Sequence, residues 1–328
     1  MQINQAILHI VDPATATAYY SEQVLDLAEA GIAQYIEQLC TRFLRRDNQN
    51  GTLPAANPVL QLCQPTGDFI TVSQQLARRF FDFTLQHSDI VSGDLLLAQL
   101  TDNERDYWAI LKLNQRQDFI HYLNYDEQAV ANQIVLNQAV LPAVGQAITE
   151  GVMIDQASGQ YFLADKAYEI DGEKRPYVAS DFLQVTAEPT LTSSVKQVRQ
   201  AVNTVAEKFN QDPVTVTADL KQAVYQSLSD TNTLDVDYVS DQVFKENPTA
   251  KAEFEQQVTA AKVPRQKADL THKFEAKVSK QKFKLDNGIE LIVPVDIYQN
   301  RDLIEFVNNP DGTISVLLKN INAIQNKF

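Results

Sequence analysis

The sequence predicts an α+β fold: an N-terminal sheet with helices packed on it, then a helical segment leading into a C-terminal antiparallel sheet. Three observations predict it. Short apolar runs dominate the first half and are interrupted by helical patterns. From Pro189 to Ala261 apolar residues recur at three- and four-residue spacing. Beyond Ala261 alternation returns, around Asn287-Gly288. The expected boundaries are 1–188 for an N-terminal α+β domain and 189–328 for a C-terminal domain, with helices over 190–261 and antiparallel strands over 271–320. A chain of 328 residues is long enough for two domains.

Ile3 to Val11 reads as a first strand, halted by Asp12-Pro13. Ser21 then caps a long helical pattern in which Leu25, Ala28, Ile32, Ile36, Leu39 and Phe43 share a face. Arg42, Arg45 and Arg46 close it at the negative pole. Asp47 to Asp68, with Gly51, Pro54, Pro58, Pro65 and Gly67, reads mostly as loop, and Ser73 to His87 as a second helix. Asp94–Leu100 and Tyr107–Leu113 form a hairpin of near-continuous apolar runs, the pattern of central strands buried on both faces. Short elements follow at Phe119–Leu123, Ile134–Leu136, Ala139-Val140, Gly151–Ile154 and Gln160–Leu163, and Tyr177–Leu183 reads better as a helix.

After Pro189, helices are expected over Leu191–Phe209, Thr217–Leu228, Asp237–Phe244 and Pro248–Ala261. Phe274, Ala276 and Val278 then alternate with polar residues as in a strand. Asn287-Gly288 between alternating runs is a strong hairpin signal, with positive φ expected at both turn positions. Asn308 to Gly312 is a second turn, leading into a strand over Thr313–Leu318.

The chemistry of most enzyme classes is missing from the sequence. No phosphate-binding glycine loop, GxSxG or HExxH motif occurs, and Cys40 and Cys63 are not spaced for zinc. No cofactor is expected. Glu275-Ala276-Lys277, with Asp269 six residues earlier, has the E-x-K half of a metal-dependent nuclease motif, and also fits the polar face of a strand. The start of the chain lacks a basic, apolar leader pattern, and no apolar run approaches the ~20 residues that cross a bilayer. The expectation is a soluble, cytoplasmic protein without membrane contact.

Charge supplies the one functional lead. The chain carries 42 acids, 28 bases and a net charge of −14, so a uniform surface repels nucleic acid. Yet Lys262, Arg265, Lys267, Lys273, Lys277, Lys280, Lys282 and Lys284 stand against only Asp269 and Glu275 within one short stretch. Same-parity lysines on a strand lie in a row that can track a phosphate backbone. Lysines also guard sheet edges against aggregation, and a basic stretch neutralises an acidic body in cis; all three readings fit. Arg45-Arg46, Arg78-Arg79 and Lys174-Arg175 are smaller basic patches of ordinary surface character.

Several short motifs stand in a set order: the opening Ile3 to Asp12, the Asp94–Leu100 and Tyr107–Leu113 hairpin, Glu150 to Ile154 leading into Tyr161 to Lys166, Asp181–Leu183, Pro294–Asp296 and Asn308 to Ile314. In that order they resemble the bacterial nucleoid-associated protein family of the NdpA/YejK type. The resemblance implies a non-enzymatic protein of the nucleoid that binds DNA, directly or through a partner, and it assigns no site residues. The partners expected are DNA and a basic DNA-processing protein drawn to the acidic body, and the edge-rich sheets leave surfaces for a homo-oligomer.

Overall fold

The computed structural model describes residues 1–12, 17–64, 67–126, 129–268, 274, 278–298 and 300–323. The chain divides into two compact units, Met1–Glu188 and Pro189–Phe328. Both combine helices and antiparallel strands, as the α+β expectation requires.

In the first unit a seven-stranded antiparallel sheet has the order β2-β1-β4-β5-β8-β9-β3. Its strands are β1 (Gln2–Asp12), β2 (Thr17–Tyr19), β3 (Gln49–Thr52), β4 (Gly93–Asp102), β5 (Arg105–Asn114), β8 (Glu150–Asp155) and β9 (Gln160–Asp165). The continuous apolarity of β4 and β5 has its cause here, because both faces of the sheet are covered. Leu96, Ala98, Ala109, Leu111 and Met153 pack with Ile36, Leu39 and Phe43 of α1 (Ala30–Leu44). Leu95, Leu97, Trp108, Ile110 and Val152 share the opposite core with α2 (Pro58–Leu62) and α3 (Phe69–Thr84). The period-2 pleat sorts successive residues into the two cores.

Several local expectations give way to competing bonds. Ser21 starts no helix: its N–H donates to His9 Nδ1 (3.0 Å) and its hydroxyl accepts from Gln23 N–H (3.3 Å), a local turn that competes with helix. Leu25 N–H then donates to Ala6 O (2.8 Å), and α1 begins only at Ala30. The expected loop at 47–68 contains β3 and α2, the latter capped by Asn57, whose Oδ1 accepts from Val59 N–H and Leu60 N–H. Helix α3 begins at Phe69 under an Asp68 cap, not at Ser73. The short elements around Phe119 and Ile134 are parts of one long hairpin, β6 (Arg116–Asp126) with β7 (Ala129–Val140). A small pair, β10 (Tyr168–Ile170) with β11 (Glu173–Arg175), and a π-helical turn at Val178–Leu183 complete the unit.

The second unit is built on α4 (Leu191–Lys208), α5 (Pro213–Thr231), α6 (Val236–Val243) and α7 (Pro248–Ala260). Thr190, Asp212, Asp235 and Asn247 cap them in order, each accepting a backbone N–H three residues on. Val198, Val202, Leu220, Val224, Val239 and Phe254 form the middle of one helical core. Phe274 and Val278 also belong to it and have helical backbone, which corrects the strand expected there. A four-residue spacing puts two side chains on one face in either period, and burial against helices selects the helix. Three two-stranded pairs follow: β12 (Thr233–Asp235) with β13 (Gln266–Ala268), β14 (Lys280–Lys284) with β15 (Glu290–Pro294), and β16 (Ile304–Asn308) with β17 (Ile314–Leu318). A single turn of helix, α8 (Val295–Tyr298), leads out of β15.

Candidate nucleic-acid interface

Strand β14 is the element that orders the basic residues. Its five residues alternate: Lys280, Lys282 and Lys284 are exposed, while Gln281 is buried and Phe283 half-buried. The lysines therefore share one face, opposite Pro294, Ile292 and Glu290 of β15. The inward face is anchored by aromatic rings. Phe283 stacks on Tyr298 of α8 (centroids 5.5 Å apart) and tilts against Phe306 of β16 (5.2 Å), and Tyr298 and Phe306 touch in turn (5.5 Å). This trio ties the two C-terminal hairpins together and fixes which way the lysines point.

The β14–β15 turn is not the two-residue form expected of Asn287-Gly288. Gly288 has φ +87° and Asn287 is not among the residues with positive φ. Gly288 N–H donates to Leu285 O (3.0 Å) and Leu285 N–H to Ile289 O (2.9 Å), so three residues form the loop and glycine takes the left-handed position. The β16–β17 turn repeats the design, with Gly312 at φ +86° and Gly312 N–H donating to Asn309 O.

The structure sorts the eight basic residues predicted for this site. Lys280, Lys282 and Lys284 form the row, and Lys262 is exposed in the turn after α7. Arg265 is engaged, donating to Asp237 Oδ1 at 2.7 Å. Lys267 needs correcting as a surface contact: it sits on β13 with only 2% exposure, out of reach of a phosphate. Lys273 and Lys277 lie outside the described residues. One cation was missed. Lys221 on α5 is held below the usual lysine pKa, first by burial and then by the positive charge of Lys282 close to it. It lies far from the row in sequence, and an isolated lysine on a helix gives no signal.

A cleft of about 530 Å³ in the same unit is bordered by Lys245, Arg301, Tyr298 and Phe306. Asp219 and Glu305 border it too, and Lys319 is paired with Glu305, so its charges cancel. The net charge divides unevenly between the units. Residues 1–188 hold 24 acids and 11 bases, whereas residues 189–328 hold 18 acids and 17 bases. The basic row thus belongs to a nearly neutral unit.

The first unit contains a charged cluster of another kind. Lys112 Nζ donates to Glu150 Oε1 at 2.7 Å, with Lys112 2% and Glu150 0% exposed. Tyr177 Oη donates to the same oxygen (2.8 Å), and Tyr168 Oη (2.8 Å) and Asn114 Nδ2 (3.0 Å) donate to Oε2. Burial opposes both charges and keeps Lys112 below its ordinary pKa. At Glu150 burial is outweighed by Lys112 and the other donors, and the carboxyl stays below its ordinary value. Burial and the Glu150 charge raise both tyrosines, so they remain donors. Both carboxylate oxygens of Glu150 accept at least two hydrogen bonds, and the cluster is a buried brace joining β5 and β8 to β10 and the π-helical turn. Next to it Asp165 accepts the N–H groups of Tyr177, Val178 and Ala179 at 3.1, 3.0 and 2.8 Å. A lone lysine in Tyr107–Leu113 and a glutamate opening Gly151–Ile154 were the sequence signals for this pair.

The arginine pairs of this unit are also occupied in part. Arg46 donates to Ile148 O, Arg79 to Phe182 O, Arg175 pairs with Asp181, and Arg78 lies over the Tyr20 ring. Among the described residues no group of three or more His, Cys, Asp and Glu side chains is placed to hold a metal ion. Asp269, Glu275 and Lys277, which carried the nuclease reading, lie outside the described residues. Among those described, no helix is long and apolar enough to cross a membrane.

Comparison with known proteins decides the family. The model described as nucleoid-associated protein YejK matches residues 7–325. The chain belongs to the YejK family of nucleoid-associated proteins. The YejK match takes in both units, and with them the lysine row and the buried brace. No curated protein matches the chain.

Proposed function

We propose that this YejK-family protein binds DNA directly, without catalysis, through the exposed row Lys280, Lys282 and Lys284 joined by Lys221. Its place of action is the nucleoid, in the cytoplasm. The observation that carries the reading is the anchored alternation of β14: three cations on one face, held by an aromatic trio on the other. Adjacent lysines of such a row are about 6.8 Å apart along the strand. That spacing is on the scale of the phosphate repeat along one strand of a duplex, so each lysine of the row can meet its own phosphate. The contacts are to the backbone alone and select no sequence. Lys262 and the residues around Lys273 and Lys277 extend the same basic segment in the chain. Anisotropy with a labelled duplex at low salt tests it: binding that weakens when the row is changed to glutamine is expected, and no binding by the wild type overturns direct contact. Incubating DNA with the protein and Mg²⁺ or Mn²⁺ tests the non-catalytic part, since cleavage would overturn it.

A second reading draws on the excess of acids in the first unit, 24 against 11 bases. In it the protein is an interaction module, and a basic DNA-processing partner brings it to the nucleoid. Retention of the partner after nuclease treatment supports this reading; loss of every partner with the DNA refutes it.

A further inference from the structure

The β6–β7 hairpin pairs with no other strand among the described residues, so both of its outer edges are open. Its strands are 11 and 12 residues long, and isolated two-stranded ribbons are marginal in water. Both of its faces are exposed and apolar. On one face Phe119 (70% exposed) sits opposite Leu136, and Ile134 (79% exposed) opposite His121, with Leu123 next to them. The other face presents Ile120, Tyr122 and Val135. Monomeric proteins seldom leave so many large apolar side chains together in water.

We propose that this hairpin is a self-association arm, and that its occupant is the arm of a second copy of the same chain. Three features point to a second copy over a foreign partner. The first is area. Weighted by exposure, the four apolar side chains of the Phe119 face alone offer on the order of 400 Å² at roughly 150–200 Å² per large side chain, near what one side of a two-fold interface uses. A standard interface of about 800 Å² per partner, a little over half apolar, needs roughly 450 Å² of apolar surface from each side. The second is charge. At net −14 two copies repel each other, yet no Asp, Glu, Lys or Arg occurs over 119–125 or 129–140. Along these stretches a cationic partner has nothing to pair with and an identical chain meets no like charge; Asp118, at the base of the arm, is paired with Arg116. The third is the open strand edge, against which an identical hairpin can lay the same edge antiparallel about a two-fold axis, each arm giving and receiving the same contacts. The dimer formed in this way does not depend on the DNA-binding reading.

Sedimentation equilibrium on the full chain tests the arm. The wild type is expected to pass from monomer to dimer as concentration rises, and Phe119→Lys with Ile134→Lys to stay monomeric over the same range. A control, Ile292→Lys, alters an exposed apolar residue elsewhere and is expected to leave the dimer intact. The arm lies outside the hydrophobic cores, so thermal unfolding of the double variant should match that of the wild-type monomer. A second measurement needs no variant: amide exchange over 119–123 and 132–136 should slow as concentration rises. A wild type that is monomeric throughout, a double variant that still dimerises, or arm amides that exchange at one rate at every concentration each overturns the proposal.

Discussion

Replacing Lys280, Lys282 and Lys284 together with glutamine removes three charges from one face of β14 while keeping polar side chains there and leaving Phe283 and Gln281 in place. The expected effect is on the salt dependence of DNA binding more than on the fold. Each phosphate contact releases a counterion, and log K falls with log salt by about 0.9 per contact. Three lost contacts flatten the slope by about 2.7, so over a fourfold rise in salt the wild type loses roughly 40-fold more affinity than the variant. The assay is anisotropy of a labelled duplex titrated at four or more salt concentrations. Lys221→Gln should flatten the slope by about one further contact. Arg265→Gln should leave the slope unchanged, because its guanidinium is bound to Asp237. Parallel lines for the wild type and the triple variant refute the row as the phosphate contact, even if both bind DNA.

Other perturbations test the framework that holds the site. Glu150→Gln leaves Lys112 charged and buried without its counterion, and should lower unfolding stability by about 3–5 kcal/mol in denaturant titration; a loss below about 1 kcal/mol refutes the brace. Phe283→Ala removes the ring that anchors the row and should cost about 2–3 kcal/mol in the melt of the second unit, the half-exposed ring giving less than a fully buried one. It should also weaken DNA binding with no change of charge, and unaltered binding would show that the row needs no anchor. His9 gives a pH effect. It accepts the Ser21 N–H on Nδ1 and lies 3.1 Å from Ser73 Oγ at Nε2, and burial, aided by Arg78, lowers its pKa from 6.5 to about 4. The unfolded chain takes up the proton first as pH falls. The stabilisation is therefore complete above about pH 6.5 and declines towards pH 4, by about 2–3 kcal/mol. His9→Gln should flatten the stability profile in that window, and an unchanged profile refutes the assignment.

The α+β class and most helices of the second unit were legible because their periods are strong and their caps are local. Thr190, Asp212, Asp235 and Asn247 stand where sequence reading looks for them. The errors fall where a local pattern fits two geometries. Leu25 and Leu27 keep helical spacing with α1, yet Ser21 and Leu25 bond to β1 residues that are distant in sequence. Phe274 and Val278 satisfy strand and helix alike, and only the helical core chooses between them. At the candidate site the alternation of Lys280, Lys282 and Lys284 was readable because it is covalent in origin. The burial of Lys267 and the approach of Lys221 to Lys282 were not, since both depend on which surfaces meet.

The uneven division of charge has a consequence for crowded DNA. A molecule docked by a few lysines still bears the 24 acids and 11 bases of its first unit, and that excess acts over a Debye length of about 8–10 Å. On the proposed DNA-binding reading, arm-paired dimers docked side by side along a duplex therefore hold one another apart. Occupancy should be anticooperative at low salt and approach independent sites as salt screens the repulsion, giving sparse punctuation of the chromosome in place of a continuous sheath.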